Sequence, residues 1–354
     1  MPKSGTFIRS TLVLAAVAAV AAVAVSAAGA APAKKTDTSL QGAGSSLIAP
    51  ALAIWQPLYG AARGVTVNYS SVGSGAGIAA ITARTVDFGA SDAPLTADQA
   101  TACNGCVQIP WALTATVPVY NIPGVADTKL KLDGATLANI FLGKITTWNN
   151  PAITKLNPGL SLPSTNITVV HRSDGSGDSY VFTDYLSKVS PAWKSQVGAS
   201  TSVSWPTGVG GKGNAGVAAV VASTAGSIGY ISDAYVIQNH IAKAKLKNAS
   251  GRYTLPSIKS IGEAASLVKT VPADMNISIT NPPATKDKKL WDAYPLSTFT
   301  YCIVPKTTAK AKDIKNFVSW ALTHGQPAIK RLVFAPMPLV MVKAAEKALA
   351  SIHS

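Results

Sequence analysis

The sequence predicts an α/β protein of two lobes. Three observations carry that expectation. Strand-like and helix-like segments alternate along the chain, as they do in folds built on largely parallel sheets. Two extended apolar segments, residues 117–122 and 297–304, lie far apart in sequence. A chain that leaves one lobe and later returns to it needs a pair of such crossings. Finally, four Gly/Ser-rich loops each stand just before a helix-like segment.

Length and composition suit this class. The chain has 354 residues, 47% of them hydrophobic and 13% charged. That is enough for about two domains and too apolar for a disordered chain.

Taken in order, the N-terminus reads as a secretory signal peptide, residues 1–30. Lys3 and Arg9 precede an apolar or small stretch, TLVLAAVAAVAAVAV, at 11–25. Ala28, Gly29 and Ala30 then supply an A-x-A cleavage site. The alternative is a retained membrane anchor. No cysteine lies near the cut, so a lipid anchor is not indicated. Residues 31–39 read as a flexible linker. No later run approaches the roughly 20 apolar residues of a spanning helix.

Beyond the linker, Ile48, Leu52, Trp55 and Tyr59 recur at helical spacing, and residues 65–69 alternate like a strand. Val169 and Val170 end another strand, and residues 180–189 read as the helix after it. Ile314, Phe317, Trp320 and Ala321 line one face of a helix. Residues 340–352 form one more.

The net charge is +15, and +13 once the two positive charges of residues 1–30 are removed. A basic balance admits nucleic acid, anionic surfaces or anionic solutes as partners. The lysines sit in scattered clusters without interleaved aromatic residues. A solvated basic surface is therefore the simpler reading, and no nucleic-acid partner is expected. Cys103 and Cys106 bracket a two-residue spacer, and Cys302 stands alone. Outside the cytoplasm the pair could close a small disulfide. A zinc site would need four ligands, and neither a second CxxC nor a cluster among the four His provides them.

The four loops are Gly42-Ala43-Gly44-Ser45-Ser46-Leu47, Gly73-Ser74-Gly75-Ala76-Gly77, Asp174-Gly175-Ser176-Gly177-Asp178 and Gly210-Gly211-Lys212-Gly213-Asn214. Glycine lets a backbone approach a ligand closely. The first N–H groups of a helix lack intrahelical partners, and the helix dipole adds positive character there. Serine hydroxyls add neutral donors. Any one loop could be only a turn and cap, but four together favour a shared anion site. Arg172 could supply a planar fork for an oxyanion, or instead pair with Asp174. Asp92 could serve the site, or only cap a turn before Pro94.

Competing motifs fail on their residues. The GxGxxG match at 208–213 follows Trp205-Pro206-Thr207 rather than a clear strand. A calcium loop opening at Asp174 would need Gly and Glu where Ser179 and Tyr185 stand. A G-x-S-x-G elbow would need glycine where Val72 or Asp174 stands.

Six blocks together resemble a known family. They are VDFGASDAPL at 86–95, LANIFLGKITTW at 137–148, LNPGL at 156–160, RSDGSG at 172–177, residues 208–214, and GSIGYI at 226–231. They resemble the periplasmic phosphate-binding proteins of phosphate ABC transporters, in order across most of residues 40–240. The match thins beyond.

The resemblance implies a two-lobed periplasmic binding-protein fold, type II, with hinge crossings near residues 118 and 299. Lobe 1 would comprise 40–118 and 300–354, and lobe 2 would comprise 119–299. It implies capture of inorganic phosphate in the cleft and delivery to a membrane-embedded permease. The protein would then be periplasmic and monomeric, without cofactor or catalysis.

The resemblance also assigns roles. Ser46 and Ser74 give hydroxyls, and Leu47 a backbone N–H where the family often has an aromatic residue. Asp92 accepts a phosphate proton, Arg172 pairs with the anion, and Ser176 and Gly177 donate from the third loop. Asp178 replaces the usual threonine. It either turns away to pair with Arg172 or a lysine, or faces the anion as a second proton acceptor. The second is favoured because the family position points into the site. An ionised Asp92 would repel sulfate, which has no proton to offer. Rival functions are a secreted phosphatase on the same scaffold, a binder of molybdate or phosphonate, and a basic surface adhesin.

Overall fold

The strands read at 65–69 and 169–170 end at Ser71 and Arg172, just before the second and third glycine-rich loops. The computed structural model describes residues 39–354. The expected signal peptide and residues 31–38 of the expected linker lie outside the described residues. Ser39 already belongs to the first strand.

The principal elements are β1 (Ser39–Gly44), α1 (Ala49–Arg63), β2 (Thr66–Ser71), α2 (Ser74–Thr82), β3 (Phe88–Ser91) and β4 (Cys106–Asn121). They continue with β5 (Thr168–Arg172), α3 (Gly177–Val189), β6 (Val209–Gly211), α4 (Gly213–Ser223), β7 (Ser227–Ser232) and β8 (Ser297–Pro305). Helices Ala311–Trp320 and Leu339–Ala350 follow.

One nine-stranded sheet has the order β2-β1-β3-β8-β4-β7-β5-β6, with the short strand Ala242–Lys243 also on β4. Its ends are parallel: β2-β1-β3 on one side and β7-β5-β6 on the other. The centre is antiparallel. β8 pairs antiparallel with both β3 and β4, and β4 pairs antiparallel with β7. The sequence led one to expect largely parallel sheets. The two crossing segments depart from that because one leaves a lobe and the other returns, so they run in opposite directions.

β4 has two sets of partners. Its residues up to Ala115 pair with β8, and from Thr116 onward they pair with β7. One continuous strand thus belongs to both halves of the sheet.

The local sequence explains the strand-to-helix turns. At the end of β1, Gly44 has φ +144, and a Cβ there would sit 2.1 Å from the carbonyl oxygen of Ala90. Only glycine lets β1 lie this close to β3. Pro50 occupies the first turn of α1, where its missing N–H costs nothing. The apolar stripe expected on that helix is buried: Leu52, Trp55 and Tyr59 face inward.

Two aromatic clusters fix the halves. Trp55, Trp111, Phe88 and Phe317 pack around one, with Trp55 and Trp111 at 5.6 Å between ring centroids. Phe141, Phe182, Trp205 and Tyr230 form the other, with Phe182 stacked on Tyr230 at 4.4 Å. Fully burying a large apolar side chain is worth about 1.5–3 kcal/mol, and of these rings only Trp205 is partly buried. The second cluster includes Phe182 of α3, the helix whose first turn carries Gly177 and Asp178. No helix among the described residues is long and apolar enough to cross a membrane.

Candidate functional site

The four loops converge. Ser46, after β1, offers its Oγ to two donors on Asn214, the backbone N at 3.2 Å and Nδ2 at 2.9 Å. Ser74 opens α2, so the second loop is the first turn of the helix rather than a segment before it. Its Oγ accepts from the backbone N of Gly177 at 3.1 Å and more weakly from that of Asp92 at 3.4 Å. Gly75 N donates to Gly175 O at 2.9 Å, joining the second and third loops through their backbones.

The third loop also corrects a boundary. Its helix begins at Gly177, three residues before the expected start at Tyr180, so Gly177 and Asp178 lie in its first turn. Ser176 is the cap: its Oγ accepts from Ser179 N at 3.2 Å. A Cβ on Gly177 would lie 2.3 Å from Asp92 Oδ2, so the helix N-terminus touches the aspartate without side chain between them.

Arg172 ends β5 and is buried. Its Nε and Nη2 grip Asp174 bidentately at 2.8 and 2.6 Å, and Nη1 reaches Asp178 Oδ2 at 3.1 Å. The pairing with Asp174 that the sequence admitted is therefore present, and Asp178 joins it. Asp178 does not turn out to solvent. Its Oδ1 accepts from Thr116 Oγ1 at 2.7 Å, and Oδ2 also accepts from Asn214 Nδ2 at 2.7 Å.

Asp92 follows β3. Its Oδ2 accepts from Ser45 Oγ at 2.5 Å. Its Oδ1 is buried and lacks a hydrogen-bond partner of good geometry among the described residues, although the Thr300 hydroxyl lies close enough to favour the charged form. Such an oxygen is uncommon in a native core and asks for an explanation. The turn-capping role weighed for Asp92 is not what these contacts describe. Leu47 is fully buried, and its N–H is taken by Ser45 Oγ at 3.0 Å, so the donor expected from Leu47 is engaged locally.

The electrostatics follow from burial. Asp92 is pushed up to about 7, first by burial and then by the charge of Asp178, against the pull of the Ser45 hydroxyl and Arg172. Burial also raises Asp178, although Arg172, Thr116 and Asn214 favour its charged form. Asp174 behaves oppositely. Burial would raise it, but Arg172 and the Gly213 N–H hold it below the ordinary carboxylate range.

Three contributors were missed in the sequence as individual residues. Asn214 ties Ser46, Asp178 and the backbone of Ser232 together. Its loop had been noticed, but not its side chain. Thr116 comes from the crossing strand, and Ser45 holds Asp92. Elsewhere, Cys103 and Cys106 are joined by a disulfide. A cavity of about 500 Å³ is lined by residues such as Leu95, Gln108, Asp274 and Lys347 and touches none of the expected phosphate-binding residues.

Comparison with known proteins places this arrangement. A family model described as a PBP superfamily domain matches residues 28–324. A phosphate-binding protein PstS of Xylella fastidiosa (strain Temecula1) is 46% identical over 87% of this chain and 84% of its own. The chain belongs to the PstS family of phosphate-binding proteins. Solved structures bear out the two-lobed α/β fold expected from the sequence. A high-affinity periplasmic phosphate-binding protein, PfluDING, bound with phosphate, superposes with a TM-score of 0.70 at 22% identity, covering 88% of this chain and 93% of that one. A phosphate-binding protein from Stenotrophomonas maltophilia gives a TM-score of 0.66 at 19% identity, covering 88% and 93%.

Proposed function

We propose that the protein captures inorganic phosphate between its lobes, outside the cytoplasm, and delivers it to the membrane permease of an ABC transporter. The observation that carries this reading is the convergence of the β1–α1 turn and the N-termini of α2, α3 and α4 on Arg172 and on the unpaired Oδ1 of Asp92. Helix N-termini and a guanidinium favour an oxyanion, and a lone carboxylate oxygen favours one that carries a proton. Membership of the PstS family supports the same ligand.

In this reading lobe 1 is 40–118 with 300–354, lobe 2 is 119–299, and residues 1–30 are removed on export. The lobes touch through Ser46–Asn214, Ser74–Gly177 and Gly75–Gly175. When they part, these groups exchange one another for phosphate oxygens. Ser46 and Ser74 turn their hydroxyls to the anion and Gly177 offers its N–H, whereas the N–H groups of Leu47 and Ser176, held by Ser45 Oγ and Thr201 O, join only if those local bonds open. Arg172 supplies the charge, and Asp92 Oδ1 accepts the proton. The acceptor discriminates against sulfate, which can only repel it. The protein acts as a monomeric carrier rather than a phosphatase.

The test is calorimetric titration of phosphate-stripped protein with phosphate, sulfate and molybdate. Phosphate is expected to bind at roughly micromolar affinity or better, about −8 kcal/mol, with the other two much weaker. No heat with phosphate, or turnover of a chromogenic phosphomonoester, would overturn the reading.

A further inference from the structure

The three carboxylates of the site share a single cation. Arg172 is buried, and its Nε, Nη2 and Nη1 are already committed to Asp174 and Asp178. Among the described residues Asp92 makes no ion pair; the Ser45 hydroxyl donates to its Oδ2, and the neutral Thr300 hydroxyl lies close by. Asp178 does two things at once. It pairs with Arg172 through Oδ2, and it stays inside the cluster, held by Thr116 and Asn214.

The other titratable groups facing this pair add no positive charge. They are the phenols of Tyr69 on β2, Tyr230 on β7 and Tyr235 on helix Asp233–Asn239, and the thiol of Cys302 on β8. Burial pushes each of them up, so all are neutral near pH 7. With every carboxylate ionised, the side chains of the cluster offer one positive charge against three negative ones, two of them buried and that of Asp174 half-buried. A dianion entering this low-dielectric cluster would meet strong repulsion that one arginine, already shared, does not offset. A monoanion carrying two protons meets the opposite situation. One hydroxyl donates to Asp92 Oδ1, and the other to a carboxylate oxygen of Asp178.

Resting on the phosphate reading above, we infer that the Asp92–Asp178 pair makes the site selective for the singly charged, doubly protonated tetrahedral oxyanion, dihydrogen phosphate. Capture from solution above neutral pH is therefore accompanied by uptake of a proton. The balance is simple. Monohydrogen phosphate predominates there, one proton from the solvent or buffer joins it, and the bound species is dihydrogen phosphate with no P–O bond made or broken. The raised carboxyl of Asp92 agrees with this, since the free site already favours holding a proton there.

The experiment is phosphate calorimetry at about pH 8 in two buffers of different ionisation heat, which counts protons bound per phosphate, together with affinities from about pH 6 to 9. The native protein is expected to take up about one proton, its affinity falling roughly tenfold per pH unit above neutrality. Asp178→Thr supplies a hydroxyl donor and removes a charge, so proton uptake and the slope should both shrink markedly. Asp178→Asn, of matched size, makes the same test if threonine disturbs packing. Tight phosphate binding without proton uptake in the native protein overturns the inference and leaves the phosphate reading standing. The same holds if the uptake is unchanged in both variants. Absence of phosphate binding at every pH overturns both.

Discussion

Arg172 and Asp92 are both buried, and the proposed function asks each of them to serve structure and recognition together. Arg172 neutralises Asp174 and Asp178. Removing it would leave the buried Asp178 and the half-buried Asp174 without their cation, and breaking a buried pair typically costs about 3–5 kcal/mol. Arg172→Ala should therefore lower the free energy of unfolding by about that amount and weaken phosphate at least tenfold, about 1.4 kcal/mol. Denaturant melts and titrations on the folded fraction measure the two effects separately. A folded variant that titrates like the native protein removes Arg172 from the site. Asp92→Asn keeps the size and removes the charge. In the proposed reading the ratio of sulfate to phosphate affinity should rise by about 1 kcal/mol or more, since like-charge juxtaposition would no longer oppose the wrong anion. A ratio that does not move places selectivity elsewhere.

At the scale of elements, the site is an arrangement of helix starts, and Gly177 is where two of its parts come closest. A methyl group there would meet Asp92 Oδ2 at 2.3 Å. Gly177→Ala should hold α3 away from β3, lowering phosphate affinity about tenfold or more while leaving the thermal midpoint nearly unchanged. A variant that binds normally would show that the two elements need not meet. The glycine loops themselves could be read from the sequence, because Gly and Ser at strand ends have few other uses, and α1 could be read from Leu52, Trp55 and Tyr59 at helical spacing. The start of α3 could not. Gly177, Asp178 and Ser179 are poor helix formers, so the apolar period begins only at Tyr180. Asn214 was illegible for another reason. Its partners Ser46, Asp178 and Ser232 lie 168, 36 and 18 residues away, and no local pattern encodes that meeting. The engagement of Leu47 N–H by Ser45 spans two residues, yet it depends on Ser45 being fixed from outside by Asp92.

For the whole molecule, the buried carboxylates link stability to pH. Asp92 rises from an ordinary 3.8 to about 7 in the folded state. Between those values the folded protein binds more protons than the unfolded chain, so this group's contribution is complete at low pH and is lost as pH climbs through about 7. The loss amounts to a few kcal/mol, at about 1.4 kcal/mol per unit. Asparagine resembles the protonated form. The thermal midpoint of Asp92→Asn relative to native protein, in phosphate-free buffer, should therefore increase from about pH 5 to pH 8. A constant difference would mean that Asp92 titrates normally.

The strand order has a consequence for how the chain is made. β8, Ser297–Pro305, fills the slot between β3 and β4, strands that end at Ser91 and Asn121. A ribosome delivers those two strands long before it delivers their common neighbour. Throughout that interval the nascent chain carries two bare β edges, which are templates for sticking to other chains. Synthesis halted before Ser297 should accordingly yield an insoluble product, whereas a chain extended through Pro305 has closed the gap. An export route that keeps the polypeptide unfolded until its last sixth has emerged would spare it that exposure.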